Sequence, residues 1–598
     1  MTGTAQKTTE CQNCGESANR HFPYNAKLFR KNISNIENGE ILVCESCRDY
    51  FERRKAYSEN VLTSKSDKRL IVAGPGTGKT YTFQEVLKTI PRGQKAIVFT
   101  LINNLANDLR EDLSTLENDL IKVSTFHGFC RELLHSKIGL QDITKDFRYF
   151  PLLPFLIEQD ALILDFEFGR PDFHASFANL NQNAAQEFYL SRASYYNSAS
   201  HDDAVYRVFK YYERNQNRIP SFGIVIADEY QDFNRLESSF ISLLTNRNKA
   251  LIAGDDDQAL YGFRHASKDY IRQLYSDATY EILELPFCSR CTPAIVEATN
   301  YFVKAAQGLG LLDKRIPREF ECYLPDKHRE HKAYPEIEVA HCSRPETSFK
   351  YIKDRIVDLT ASENLTSYAG KDIPFLIMGA ESGYRIKKVA EYLQENLDEE
   401  IYSIETPEER DQLEIEHGYK ILHKGVNTNL GWRIVMHFDP PEDIKSIISK
   451  TYESDIAIEE MLTQEYITRH GDEIRTLFEN QEKPVKTEES EAEPNKIRIR
   501  LTNFYGSKGL SALHTFIIDL NNYSFPANPD VITDDEICKF LVALTRAKNS
   551  CTLVVFKVFD KTIGKTVDRP SRFIEMLPAH ILRHKYFKVQ KGNLVEKG

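Results

Sequence analysis

Phosphate-binding chemistry is concentrated in the stretch RLIVAGPGTGKTYTF, residues 69–83. An apolar run enters a Gly-rich turn, and a segment with helical periodicity leaves it. Glycine lets backbone N–H groups approach phosphate oxygens that a Cβ would obstruct. Lys79 can reach the terminal phosphates, and the Thr80 hydroxyl can bind Mg²⁺. We therefore predict a strand, a phosphate-binding loop and a helix, with the nucleotide-binding residues Ala73, Gly74, Pro75, Gly76, Thr77, Gly78, Lys79, Thr80 and Tyr81.

Two further apolar runs end in acidic and amide residues. IVIA is followed by Asp228 and Glu229, and ALIAG leads into an acidic stretch that ends at Gln258. A carboxylate at the carboxyl end of a strand can hold the Mg²⁺ shell, which is the role predicted for Asp228. Glu229 can polarise an attacking water, and Gln258 is well placed to sense the γ-phosphate. Three such units in this order predict a parallel α/β sheet and an NTP-hydrolysing enzyme.

The stretch LPFCSRCTP, residues 285–293, has two interpretations. Cys288 and Cys291 have the two-residue spacing of a zinc knuckle, whereas Arg290 between them could instead act on phosphate. A zinc site here would need two more ligands, and the nearest candidates, Cys322, His341 and Cys342, have irregular spacing. The spacing therefore disfavours a zinc site here, and the residues of this stretch alone leave the role of Arg290 open.

Seven motifs occur in a fixed order over roughly residues 70–555: AGPGTGKT, VFTLINNLANDL, VSTFHGF, IADEYQD, AGDDDQALYGFRHA, YGSKGL and VALTRAK. This set resembles the successive motifs of the UvrD/Rep-type superfamily 1 DNA helicases. The resemblance implies an α/β fold with two RecA-like P-loop NTPase lobes, ATP between them and single-stranded DNA across their tops. It also implies movement along that strand with 3′→5′ polarity.

The resemblance also assigns residues. Arg290 and Arg546 match the family's two arginine fingers, which neutralise charge on the transferring phosphoryl group. Gly509 of the YGSKGL motif is expected at the nucleotide. Matches to the family's DNA contacts, by base stacking or at phosphate, are Phe99, Thr100, Tyr261 and Phe263.

Two departures from the family concern the nucleobase. Ser289 stands where the family has a Tyr or Phe that stacks on adenine, and the segment NVLTSKSDKRL lacks the Gln that reads the adenine edge. The phosphate-binding residues are intact while base recognition is reduced. We therefore expect ATP as the substrate, with other NTPs also accepted.

The first fifty residues lie outside this resemblance. Cys11 and Cys14 form one C-x₂-C pair, and Cys44 and Cys47 form a second. Two such pairs across a spacer predict a structural zinc site in a segment too small to build its own core. A redox pair is the weaker alternative. A zinc-stabilised His-Asn-His nuclease also begins with such pairs, but its His cluster is not evident.

Length and composition bound the remaining organisation. The 598 residues exceed one core, the net charge of −11 argues against a surface coated in nucleic acid, and the N-terminus lacks the apolar segment of a signal peptide. We expect a cytoplasmic protein with no membrane segment. The predicted parts are a zinc-binding module (1–57), a first RecA-like lobe (58–129 and 219–280), a helical insertion (130–218), a second lobe (281–405 and 496–598) and a reduced second insertion with a charged loop (406–495).

Two functions of different class fit these observations. The first is an ATP-dependent DNA helicase that moves 3′→5′ on single-stranded and tailed DNA. The second is a DNA-sensing ATPase subunit that regulates a partner nuclease, as in phage-defence systems, with little unwinding of its own. The motif set favours the first.

Overall fold

A computed structural model describes residues 9–18, 20–25, 40–91, 93–100, 110, 120–136, 146–166, 172–367, 373–380, 383–406, 412–479, 496–560 and 565–597. The charged loop expected near residues 480–495 lies outside them. No helix in this part of the chain is long and apolar enough to cross a bilayer.

The N-terminal segment contains two short antiparallel pairs and one long helix. The paired strands are Thr9–Glu10 with Ser17–Ala18 and Phe22–Asn25 with Glu40–Val43, and the helix is Glu45–Thr63. The four cysteines lie at the centre of this segment.

The first lobe is built on a six-stranded parallel sheet. Its strands, in spatial order, are Glu281–Leu285, Lys68–Ala73, Ala250–Gly254, Ile224–Ala227, Ala96–Thr100 and Ile121–Thr125. Because Glu281–Leu285 pairs with the strand that enters the phosphate-binding loop, the first lobe extends beyond residue 280, where the sequence placed its boundary.

Side chains of this sheet alternate between two cores, as expected of strands covered on both faces. Ile71 and Ala73 face one core, shared with the helix Lys79–Lys88, whereas Leu70 and Val72 face the other. The second core is continued by helices of the lobe and of the first insertion. These are Phe126–Ser136, Leu153–Ile163, Phe173–Ala178, Ala184–Tyr195, His201–Arg214, Arg235–Thr245 and Asp269–Ser276.

The second lobe is built on an eight-stranded sheet. Its strands, in spatial order, are Tyr402–Glu405, Ile497–Asn503, Ile373–Gly379, Ala512–Ile517, Ala547–Phe556, Ile337–Cys342, Leu582–Gln590 and Asn593–Lys597. All neighbours are parallel except the final hairpin. Helices cover both faces: Pro293–Gly308, Pro345–Ser362, Gly383–Asn396, Asp534–Leu544 and Arg572–Glu575; the short helix His328–Ala333 precedes the strand Ile337–Cys342. The molecule is therefore an α/β protein with two RecA-like lobes.

The second insertion is a small helical body. Its helices are Ile415–Lys424, Thr428–Phe438, Ile444–Glu453, Ile458–Met461 and Gln464–Glu479. It shares one apolar cluster with the first insertion, and at their junction the fully buried Asp160 accepts hydrogen bonds from Arg192 Nε (2.8 Å) and Arg433 Nε (2.6 Å). The two insertions therefore meet through both apolar packing and a buried charge network.

Candidate active site

The phosphate-binding loop has the backbone geometry that its glycines predict. Gly76 and Gly78 have φ values of 69° and 90°, in the left-handed region, and the helix begins at Lys79. A Cβ at Gly76 would lie 2.4 Å from Arg290 Cβ, so this close approach requires glycine. The loop thus places backbone N–H groups and Lys79 at one helix N-terminus, which favours bound anions.

An acidic pair, the buried Asp228 and the partly buried Glu229, faces this loop. Lys79 Nζ lies 3.3 Å from Glu229 Oε1, and Gln231 Nε2 donates a hydrogen bond of 2.6 Å to Glu229 Oε2. Burial would raise the pKa of Glu229, but Lys79 and Lys508 outweigh it and hold the pKa below its usual range. Burial and the charge of Glu229 raise the pKa of Asp228 to about 7. Glu229 is thus the ionised member of the pair, held by two cations.

Three basic groups reach the cleft from the second lobe. Arg546 Nη2 donates to Gln258 Oε1 (3.1 Å), and Arg290 Nη1 donates to the Thr545 carbonyl (3.4 Å). Burial, with the nearby charge of Arg290, lowers the pKa of Arg546 to about 9. Two mutually repelling guanidinium groups held this way would be stabilised by a polyanion between them.

Lys508 is the third basic group, and the sequence did not identify it as a site residue. Its buried ammonium group forms an ion pair with Asp232, donates to the Gln258 carbonyl (2.6 Å) and lies 3.7 Å from Glu229 Oε2. Its position before Gly509 in the YGSKGL motif was the available signal. Lys508 connects the second lobe directly to the acidic pair of the first.

These groups line one cleft of about 250 Å³ between the lobes. It brings together nearly all the residues predicted for nucleotide binding and catalysis: Gly74, Pro75, Gly76, Thr77, Gly78, Lys79, Thr80, Asp228, Glu229, Gln258, Arg290, Gly509 and Arg546, with Lys508 in addition. Ala73 lies just behind it, and its carbonyl is 3.4 Å from Lys79 Nζ. Tyr81 lies outside this cleft, with half of its surface exposed.

The donor set of the cleft also suits Mg²⁺. Asp228 is fully buried, and its carboxyl group accepts the Glu229 N–H at 2.9 Å. Because the Glu229 carboxylate lies beside it, ionised Asp228 is unfavourable unless a cation is present. Asp228 and the Thr80 hydroxyl, which line the same cleft, would hold the ion, which would neutralise charge on phosphate oxygens.

Among the residues that the structure describes, the cysteines that flank Arg290 belong to no cluster that could hold a metal ion. Cys322 Sγ is 3.4 Å from the Cys291 carbonyl, and Cys291 Sγ is 3.6 Å from the Thr545 carbonyl. His341 instead contacts His584 in the second sheet, at 2.9 Å. Cys288 packs beside the phosphate-binding loop, 3.2 Å from the Cβ that Gly76 lacks. Within this stretch, it is Arg290 whose side chain lines the nucleotide cleft.

Three aromatic rings lie together where the two lobes meet. Phe263 is 60% exposed, with ring centroids 6.0 Å from Tyr261 and 4.9 Å from Tyr505. Tyr505 comes from the second lobe and was not predicted as a site residue, although it lies just before SKGL. Exposed rings at a lobe boundary can stack on nucleobases.

The prediction of base stacking needs a correction at Phe99. This ring is fully buried and stacks on Phe126 at 4.4 Å between centroids, so it belongs to the core of the first lobe. Thr100 follows it and is also fully buried. The alternation of a central strand covered on both faces accounts for this burial.

The four N-terminal cysteines converge. Their sulfur atoms lie within 4.8 Å of one another, with Cys11 and Cys47 at 3.9 Å and Cys14 and Cys44 at 3.8 Å. Tetrahedral Zn²⁺ with bonds of about 2.3 Å places its sulfur ligands roughly 3.8 Å apart, so the cluster fits the ion. The Cys44 N–H points at Cys11 Sγ (3.2 Å) and the Asn13 amide at Cys47 Sγ (3.3 Å), contacts that stabilise thiolates.

Comparisons with known proteins give a consistent family. The family model described as the UvrD/REP helicase N-terminal domain matches residues 55–279. A probable DNA helicase II homolog of Mycoplasma capricolum subsp. capricolum is 23% identical, over 85% of this chain and 85% of its own. An ATP-dependent DNA helicase PcrA of Staphylococcus epidermidis is 25% identical over 56% of this chain and 52% of its own. An ATP-dependent DNA helicase Rep of Buchnera aphidicola subsp. Baizongia pistaciae is 26% identical over 35% of this chain and 36% of its own.

Proposed function

Because the chain belongs to the UvrD/Rep-type superfamily 1 DNA helicases, an ATP-dependent enzyme family, we propose that it moves 3′→5′ along single-stranded DNA and separates duplex ahead of it. The observation that carries this proposal is the composition of the cleft. Its phosphate-binding loop and acidic pair come from the first lobe, whereas Arg290, Lys508 and Arg546 come from the second. Occupancy by a nucleoside triphosphate would therefore draw the two lobes together.

In the proposed hydrolysis, the Glu229 carboxylate accepts a proton from the attacking water. The water oxygen bonds to the γ-phosphorus as the bond to the bridging oxygen breaks, which leaves ADP and phosphate. Lys79, Arg290 and Arg546 neutralise charge on the phosphoryl oxygens. An arginine finger contributes on the order of 10³-fold or more to such rates. Gln258 accepts a hydrogen bond from Arg546, so it connects the γ-phosphate site to the second lobe.

We propose that movement depends on three aromatic rings where the lobes meet, of which Phe263 is exposed and Tyr261 and Tyr505 are half-buried. Phe263 and Tyr261 come from the first lobe and Tyr505 from the second, so closure of the cleft changes the spacing of surfaces that stack on bases. Stacking tolerates any base sequence, as a motor requires. Phe263 and Tyr505 are the residues that we propose contact DNA most directly.

We also propose zinc as a structural ion of the N-terminal segment. Cys11, Cys14, Cys44 and Cys47 would hold it, and the ion would supply folding free energy to a segment with few apolar residues.

Strand displacement tests the proposal. Duplexes with a single-stranded tail at either the 3′ or the 5′ end are incubated with the purified chain and ATP. We expect displacement of the 3′-tailed substrate only, and none by Lys79→Ala. DNA-stimulated hydrolysis without displacement of either substrate would contradict the helicase proposal and favour a DNA-sensing ATPase that acts through a partner nuclease.

A further inference from the structure

Arg290 is held in place through its backbone more than through its side chain. Its Nη1 donates to the Thr545 carbonyl at 3.4 Å, which is at the long limit for a hydrogen bond. The preceding Ser289 N–H donates to the Gly76 carbonyl at 2.9 Å. The position of the guanidinium in the cleft therefore depends on where the backbone of residues 288–290 lies.

This backbone is paired with a second stretch of the chain, residues 321–326, which we call the supporting segment. The strands Phe287–Cys288 and Glu321–Cys322 are parallel neighbours. The Tyr323 N–H continues this pairing and donates to the Cys288 carbonyl at 2.8 Å. A displacement of the supporting segment should therefore also displace Arg290, which lies two residues beyond Cys288.

The N-terminal segment packs against the supporting segment through aromatic rings. Tyr323 is fully buried, and its ring centroid lies 6.3 Å from that of Phe51 and 6.1 Å from that of Tyr50, both on the helix Glu45–Thr63. The Tyr50 ring also lies 6.0 Å from Phe287 in the strand pair. Phe51, Phe287 and Tyr323 share one buried cluster with the four cysteines. The core of the cysteine segment is thus also the packing surface of the strand pair that leads to the arginine finger.

Polar contacts join the same two segments. Arg53 Nη1 and Nη2 donate to the two carboxylate oxygens of Glu321, at 3.2 Å and 2.7 Å. The Arg54 guanidinium lies 4.3 Å from the Tyr323 ring centroid and 3.6 Å from an Asp326 oxygen. A two-point contact between a guanidinium and a carboxylate fixes orientation as well as distance. The N-terminal segment therefore contacts the supporting segment at several points.

The Asn13 side chain connects the cysteine cluster itself to the supporting segment. Its amide group donates to Cys47 Sγ at 3.3 Å and to the Pro325 carbonyl at 3.1 Å. Groups that donate to a metal ligand are oriented together with that ligand. With zinc bound, the fixed Cys47 sulfur would hold the amide, and the amide would hold the supporting segment. Without zinc, the first of these two contacts would lose its anchor.

We propose that the N-terminal cysteine segment positions the arginine finger Arg290, with Asn13, Arg53 and Tyr323 as its positioning residues, so that zinc on the four cysteines controls the rate of hydrolysis and not the binding of nucleotide. The proposal rests on the proposed function only in the role given to Arg290. The three positioning residues lie outside the set that lines the cleft. They act through the backbone of Arg290, and a misplacement of a catalytic group by about 1 Å can cost on the order of 10²-fold in rate.

Turnover and ligand binding separate this role from structural support. MgADP lacks the transferring phosphoryl group, whereas MgADP with aluminium fluoride mimics that group at the place where Arg290 acts. We expect Asn13→Ala and Arg53→Ala each to lower kcat about fivefold, the equivalent of one lost hydrogen bond, and to weaken the aluminium fluoride complex to the same extent. The Kd for MgADP should stay within about twofold. In the variant Cys44→Ser, Cys47→Ser, which loses zinc, kcat should fall by on the order of 10²-fold.

Two controls accompany these variants. Glu16 and Lys332 form a 4.0 Å ion pair between the N-terminal segment and the helix His328–Ala333, but both side chains are more than half exposed. Exposed pairs contribute little, so Glu16→Gln should leave kcat unchanged. Arg290→Ala gives the full loss, on the order of 10³-fold. Arg53→Ala should lower kcat no further in the Arg290→Ala background, because both changes act on the same group.

Unchanged kcat in both Asn13→Ala and Arg53→Ala, with Arg290→Ala impaired, would overturn the proposal while leaving the arginine finger in place. Retained kcat in the zinc-free Cys44→Ser, Cys47→Ser variant would overturn control by zinc. A parallel loss of MgADP affinity would also overturn the proposal, because the phosphate-binding loop itself would then be distorted. Strand displacement does not enter these measurements, so their result is separate from that of the helicase test.

Discussion

Removal of the Asp160 charge should destabilise the junction between the two helical insertions. Asp160 is fully buried and accepts from Arg192, Arg433 and the Tyr196 hydroxyl (2.6 Å). In Asp160→Asn two buried guanidinium groups lose their shared counter-charge. Breaking a buried ion pair by removing one partner costs roughly 3–5 kcal/mol. We expect the unfolding midpoint of the helical insertions to fall by on the order of 10 °C in calorimetry.

A matched control lies at the same junction. Asp165 pairs with Lys445 across the two insertions, but both side chains are mostly exposed. Exposed pairs contribute only about 0–1 kcal/mol, so Asp165→Asn should shift the midpoint little. Hydrogen exchange in the helix Thr428–Phe438 should accelerate in Asp160→Asn alone. Equal effects of the two substitutions would refute the argument from burial.

The network around Asp160 also makes the free energy of unfolding depend on pH. Burial would raise the pKa of Asp160, but Arg192 and Arg433 outweigh it and hold the folded-state pKa below the ordinary value. The stabilisation is therefore present above the unfolded-state pKa of about 3.9 and is lost as pH falls through the folded-state value. Asp160→Asn should lack this loss between neutral pH and the acid limit.

Three further predictions concern the nucleotide and the metal. Glu229→Gln should still bind nucleotide, unlike Lys79→Ala, but it should release no phosphate because its amide cannot accept the proton of the attacking water. Undiminished turnover of Glu229→Gln would refute the role of Glu229. Metal analysis should find about one zinc per chain, lost in the double variant Cys44→Ser, Cys47→Ser but kept in Cys551→Ser; a zinc-free native protein would exclude the site. GTP or CTP should support DNA-stimulated hydrolysis within about tenfold of ATP in kcat/KM, since stacking tolerates any base; a preference for ATP above a hundredfold would contradict this.

The sequence predicted those parts of the site that local pattern determines. A strand followed at once by GPGTGKT or by Asp228 and Glu229 places the polar residues at the edge of a parallel sheet, whatever the rest of the chain does. The convergence of Cys11, Cys14, Cys44 and Cys47 was likewise evident from their spacing. These predictions needed no knowledge of long-range packing.

Features that depend on distant segments were not predicted. Asp160, Arg192 and Arg433 are separated by up to 273 residues, and no local pattern pairs them. The motif around Phe99 predicts a DNA contact, but it does not indicate that both faces of this strand are covered, which buries the ring. The strand Glu281–Leu285 pairs with Lys68–Ala73 in the first sheet, a contact between segments about 200 residues apart that no local pattern indicates.

Directional movement on single-stranded DNA is the central claim, and a transit assay tests it most directly. Single strands of increasing length carry a fluorophore at either the 5′ or the 3′ end, and ATP starts movement of prebound protein. The account predicts a delay before the 5′-end signal that lengthens with the strand, and no such delay at the 3′ end. It would be contradicted by a length-dependent delay at the 3′ end, or by ATP hydrolysis with no length dependence at either end.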